Sequence, residues 1–235
     1  MNTTSSRAPD VLPCGLLLIA SGVLAPLIMI FHPTAQGADM AARLVSLTEI
    51  SSLSRHVHLA LIACIVALWL SLAHLARWWP GSGAVGAAAR LYALGAVAML
   101  GAALISGFLI GDYLQRVLPL IPHAEDALPS VMLAFSANQV LAGSGTLGMS
   151  AGIVLWSAAM LRQSGPLAIA CGAYGVIAGL LCLIGYAAGW IPLDVTGMTF
   201  VVVAHSLWYG LLGLWVVRAS KHFTTTTSSE DGRRD

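Results

Sequence analysis

Among the titratable and amide side chains inside or at the edge of apolar runs, five places stand out toward one face: His32, the pair His56 and His58, Asp112, the pair Asn138 and Gln139, and His205. Imidazole ligates transition metals and haem iron and carries protons near neutral pH. His32, His58 and His205 are therefore the candidate metal ligands. Asp112, Asn138 and Gln139 are the candidate ligand-binding groups, with Asp112 able to orient a histidine and Asn138 able to hold a bound group. Two arrangements suggest themselves: His58 and His205 as an axial haem pair, or His32, His58 and Asp112 as a compact metal site. Neither has diagnostic spacing, because the chain contains no His-Glu-x-x-His, Cys-x-x-Cys or Cys-x-x-Cys-His. Each residue also has a plainer reading, as a helix-end cap or an interhelical hydrogen bond. His56 and His58 cannot both face inward, since two residues on a helix differ by about 200°. His58 lies deeper in its apolar run and is expected to face inward, leaving His56 toward the headgroups.

The elements that must position these residues are membrane spans. The chain is 58% apolar and 9% charged, against about 25% charged in a soluble domain. A spanning helix needs about 20 apolar residues. Six runs qualify, at 11–31, 57–76, 91–111, 130–161, 167–190 and 197–217. Lipid offers backbone amides no partner, so runs of this length must be helical, and the period-two alternation of a membrane barrel is absent. The expected fold is an all-α polytopic bundle of six transmembrane helices over residues 11–218. Short tails at 1–10 and 219–235 flank it, the second expected to be disordered. Asp39 is expected to cap a surface helix with Met40, Leu44 and Leu47 on one face, and the proline-bearing loop from Gln115 to Pro129 to run extended over the bundle. Trp78, Trp79 and Trp190 sit at span ends, where amphipathic rings are favoured.

Six spans put both termini on one side. That side carries Arg7, Arg77, Arg90, Arg162, Arg218, Lys221, Arg233 and Arg234, and the other only Arg43, Arg55 and Arg116. The basic side stays in the cytoplasm, so both termini are expected there. The composition suggests a bacterial inner membrane, with the acidic face toward the periplasm. A net charge of +1 gives no reason to expect nucleic acid. Cys14, Cys64, Cys171 and Cys182 all fall within spans and read as small apolar residues.

Small residues four apart mark three close-packing faces: Ala103, Gly107 and Gly111; Ser144, Gly148 and Gly152; Cys171, Gly175 and Gly179. Most of the polar groups named above, with Ser136 and Ser206, fall toward the periplasmic ends of their spans. A polar group at that depth is unfavourable against lipid and should face the interior. The sequence thus points to an integral membrane protein of unassigned activity, with a periplasm-facing histidine pocket for a metal, haem or a small ligand. The alternative is a non-catalytic scaffold or regulatory subunit engaging a membrane-protein partner in the bilayer. A small-solute carrier ranks third, because no span carries a charge at mid-depth.

Overall fold

The computed structural model describes residues 11–79 and 83–231, of which 221–231 are described by backbone alone. It is all-α among those residues. The helices are α1 (Leu12–Ile30), α2 (Met40–Glu49), α3 (Ser51–Trp78), α4 (Gly83–Leu104), α5 (Ile110–Val117), α6 (Leu128–Met160), α7 (Pro166–Ala187) and α8 (Val195–Asp231). A π turn, Ile105–Leu109, joins α4 to α5 without a break. Six helical segments are long and apolar enough to cross a membrane: α1, α3, the continuous α4–α5 rod, α6, α7 and α8.

The spans close into a ring. Each packs on its neighbours in sequence, and α1 returns to pack on α8. Small residues let the backbones approach. A methyl group built on Gly95 of α4 would stand 2.8 Å from the Gly145 carbonyl oxygen of α6, and one on Gly213 of α8 would stand 2.6 Å from the Gly15 carbonyl oxygen of α1. Of the three expected faces, Gly107 and Gly111 meet His58 and Ser51 of α3, Gly148 and Gly152 meet α4, and Gly179 of α7 meets Ser150 and Val154 of α6. Ser144 departs from the pattern: it is exposed and donates to its own helix at Val140. The α1–α8 contact was not foreseen, because Gly15 and Gly22 lie seven apart rather than four.

The spans differ in length. At about 1.5 Å per residue, the 19 residues of α1 and the 22 of α7 match a hydrocarbon core of about 30 Å. The α4–α5 rod with the turn that follows it, and α6 with the turn before it, 38 and 37 residues, overshoot it by roughly 25 Å. The overhang is not an extended loop. Residues Leu118–Leu120 and Ala124–Ala127 form short 3-10 turns, and with α2, α5 and the start of α6 they build a cap on the acidic face. Leu44 of α2 is fully buried there among Ile110, Leu114, Ala127 and Val131. Asp39 does cap α2, accepting from the Ala42 amide at 2.8 Å. Of the apolar face of α2, Leu44 and Leu47 lie against protein, while Met40 stays exposed.

The opposite half of the ring is solid. Trp156, Trp208, Tyr92, Leu18, Leu72 and Leu212 fill it. Trp78 and Trp190 are exposed as span-end rings should be, but Trp79 turns inward, its ring 5.3 Å from Trp215 and 6.0 Å from Trp156. The helical backbone of α8 continues to Asp231, through most of the stretch expected to be a disordered tail. Residues 1–10, the turn at 80–82 and residues 232–235 lie outside the described residues.

Candidate functional site

Between the solid half and the cap the ring encloses two adjoining cavities. The larger, about 340 Å³, is walled by α1, α3, α4, α6 and α8, with the segment before α8. Its lining is mostly aliphatic, with Met29, Met99, Met149, Met198 and Cys64 contributing sulfur. The smaller, about 240 Å³, lies under the cap between the α1–α2 connection, the start of α3 and the π turn. His32, His58, Ser106, Phe135 and Val195 line both cavities and so form the neck between them.

The sequence candidates divide clearly. His32, His58, Asn138, Gln139 and His205 all line the larger cavity. His32 and His58 meet at the neck with ring centroids 5.0 Å apart, edge to face. His32 Nδ1 donates to the Pro33 carbonyl at 3.1 Å, and His58 Nδ1 to the Ser54 carbonyl at 2.8 Å. Each ring is thereby fixed in the tautomer that leaves Nε2 with its lone pair. His32 lies beyond the end of its span, where burial pushes its pKa below 6.5, with the Pro33 hydrogen bond opposing in part. The His58 ring is held from behind by Gly107, whose missing side chain makes room for it.

Asn138 is buried and donates through Nδ2 to the Ala102 carbonyl at 2.7 Å and to Ser106 Oγ at 2.8 Å. Both acceptors adjoin the π turn, where the regular i→i+4 bonding is interrupted. The Ser106 carbonyl also receives Ser54 Oγ at 3.4 Å. A polar path thus runs from α6 through the π turn to α3 and the histidine pair. Gln139 donates to the Leu193 carbonyl at 3.1 Å, tying α6 to the segment before α8.

His205 sits deeper. Counted from the acidic ends of their helices, Ser51, Leu128 and Val195, His58 lies about 10 Å in, and Asn138 and His205 about 15 Å. Its Nε2 pairs with Ser150 Oγ at 3.0 Å, and its ring stands 6.4 Å from Tyr209. Tyr209 shares a 2.8 Å hydroxyl contact with Tyr92 that closes the cavity floor. Ser206 lines the cavity, and its buried hydroxyl has no partner. With Nε2 engaged by Ser150, His205 is not set as the axial partner of His58.

Three expectations miss. Asp112 lines neither cavity; it is half exposed and paired with Arg55, whose guanidinium also covers the Phe108 ring at 5.6 Å. It orients no histidine, and the compact His32–His58–Asp112 site does not form. Among the described residues no group of three histidine, cysteine, aspartate or glutamate side chains could hold a metal. Ser136 is exposed and bonds back to Met132. His56 is exposed, as expected, and bonds to the Ser52 carbonyl. Conversely, Ser54, Ser106, Ser150 and Tyr209 belong to the site and were not singled out by the sequence. A serine or tyrosine in an apolar run carries no spacing signal until its partner helix is known.

No family model, no curated protein and no solved structure matches this chain. The fold and the cavity are the whole basis for its function.

Proposed function

We propose that this integral membrane protein binds a small lipid-soluble amphiphile in the larger cavity, in the inner membrane of a bacterium with both termini in the cytoplasm. The observation that carries the reading is the cavity's composition: aliphatic and thioether walls with a few convergent polar groups, at a volume in the range of small-molecule pockets. Flexible thioethers suit an apolar body of variable shape. Asn138 and the neck histidines supply polar contacts at one end, and His205, Ser206 and Tyr209 at the other.

The location of the polar groups supports entry from the outer leaflet. Phe135 and Gln139 are exposed on α6, and Leu193, Val195 and Met198 are only partly buried at the start of α8, yet all five line the cavity. No residue of α7 lines the cavity, and the segment between α7 and α8 brings Leu193 over it. An amphiphile can pass there with its tail still in hydrocarbon.

The test is the molecule that travels with the protein. Protein purified in mild detergent is denatured in solvent, and the released organic compounds are compared by mass spectrometry with those from Ala142→Trp. Ala142 is a buried wall residue, and an indole at its position occupies the cavity. A compound present at near one per chain in the native protein and depleted at least tenfold in the variant supports the proposal. Identical extracts from two equally stable proteins refute it and favour the scaffold reading.

A further inference from the structure

The neck between the cavities carries chemistry that an amphiphile does not require. Two imidazoles from different helices stand 5.0 Å apart, centroid to centroid. Both are pre-set by main-chain carbonyls to present Nε2 as a lone pair, the arrangement by which an outer hydrogen bond orients a metal-binding histidine. Two rings converging on one ion at about 2.0 Å per bond, with a roughly tetrahedral angle, place their centroids about 5 Å apart. Sulfur lies close in the chain as well. Met29, in the last turn of α1, is buried, lines the same cavity, and its carbonyl accepts from the His32 amide at 3.1 Å.

We propose that His32 and His58, with Met29 as the third donor, form a binding site for copper(I). The choice of ion follows from the donors and the surroundings. Thioether sulfur selects copper(I), and imidazole accepts it. The nearby carboxylates are otherwise engaged: Asp112 is paired with Arg55, and Asp194, which lines the larger cavity, accepts from the Gly197 amide at 2.9 Å; no third aspartate, glutamate, cysteine or histidine joins the two rings among the described residues. A divalent ion would hold two uncompensated charges at the hydrocarbon boundary, whereas a monovalent one holds a single charge. The inference does not rest on the amphiphile reading. Met29 and both histidines also line the larger cavity, but the site rests on their donor atoms and not on what fills that cavity.

Full-length protein in detergent is titrated with copper(I) under ascorbate, in competition with a colorimetric copper(I) chelator. The expected result is one ion per chain, bound more than about 100-fold more weakly by His32→Ala or His58→Ala, since ligand loss costs at least what loss of a supporting hydrogen bond does. His56→Ala, on the exposed face of the same helix, leaves binding unchanged. Met29→Leu weakens it while Met149→Leu does not, which separates a ligand from a wall residue. X-ray absorption of the copper-loaded native protein reads the ligand set without any variant and should show two nitrogen neighbours and one sulfur. Absence of stoichiometric binding, a sulfur-only shell, binding that survives the His32→Ala/His58→Ala double variant, or zinc(II) bound more tightly than copper(I) would each overturn the assignment.

Discussion

At the scale of the residue, the site is governed by where each imidazole's second nitrogen goes. His32 gives Nδ1–H to Pro33 and stands half-buried at the neck, so its neutral form is favoured in the folded protein. That makes a sign-definite prediction. A group whose folded pKa lies below its unfolded value binds protons more weakly when folded, so the stability it permits is complete above pH 6.5 and declines as pH falls through that value. His32→Gln keeps a polar group of similar reach and removes the titration. Thermal midpoints measured in one detergent from pH 8 to pH 5 should fall more steeply for the native protein than for the variant. Parallel curves would show that His32 is not desolvated. The same scale explains which residues the sequence could and could not reveal. His58, Asn138 and His205 were legible because each interrupts an apolar run well inside a span, where facing lipid is unfavourable. Asp112 was misleading because Arg55, one turn from the acidic end of α3, competes for its carboxylate. The pairing of His32 with His58 depends on how α2 folds back between them, which no local pattern encodes.

At the scale of the element, the π turn and the small-residue faces set the site's geometry. Four of the six spans were legible to within a few residues at their basic ends, since those ends carry arginine, proline and glycine. At the acidic ends the misses are the second and third spans: α3 starts six residues before 57, and α5 ends six residues past 111. Pro119 and Pro129 read as breakers, but each occupies the first turn of a helix, where a missing amide proton costs nothing. The loop they were expected to make is therefore a helical cap. The α4–α6 contact holds the Asn138 side chain against the π turn, and its closest point is Gly95. A methyl there meets the Gly145 carbonyl oxygen and the Gly148 backbone at 2.8 Å, neither of which can swing away. Gly95→Ala should destabilise the protein by about 1–3 kcal/mol, the usual effect of overpacking. Gly210→Ala, where added carbon meets nothing within 4 Å, should cause no loss. Unfolding of both variants in mixed micelles by a graded denaturing detergent gives the comparison, and equal stability of the pair would mean that α4 and α6 are not in contact at this point.

At the scale of the whole molecule, a ring closed by its first and last spans is asymmetric across the membrane: solid with aromatic rings on the basic side, hollow and capped on the acidic side. That polarity decides what the cavity can meet. If the basic side is cytoplasmic, the neck and both chambers face the exterior, and any ligand or ion arrives from there. The charge bias is the argument for this orientation: eight cations against three, with Arg162 in the short α6–α7 connection and Arg77 and Arg90 on the helix ends either side of the turn after α3, where the bias acts most strongly. Orientation is directly measurable. All four native cysteines lie within spans, three of them buried. They can be replaced by alanine, and a single cysteine then placed at Ala38, exposed before α2, or at Ser164, exposed between α6 and α7. In intact cells a membrane-impermeant maleimide should label Ala38→Cys and leave Ser164→Cys untouched until the membrane is opened. The reverse pattern would turn the cavity toward the cytoplasm. The copper(I) site would then draw on a reducing compartment, where this oxidation state is the prevailing one, and the amphiphile would have to enter from the inner leaflet. One labelling experiment thus fixes the side from which every other proposed event at this site must begin.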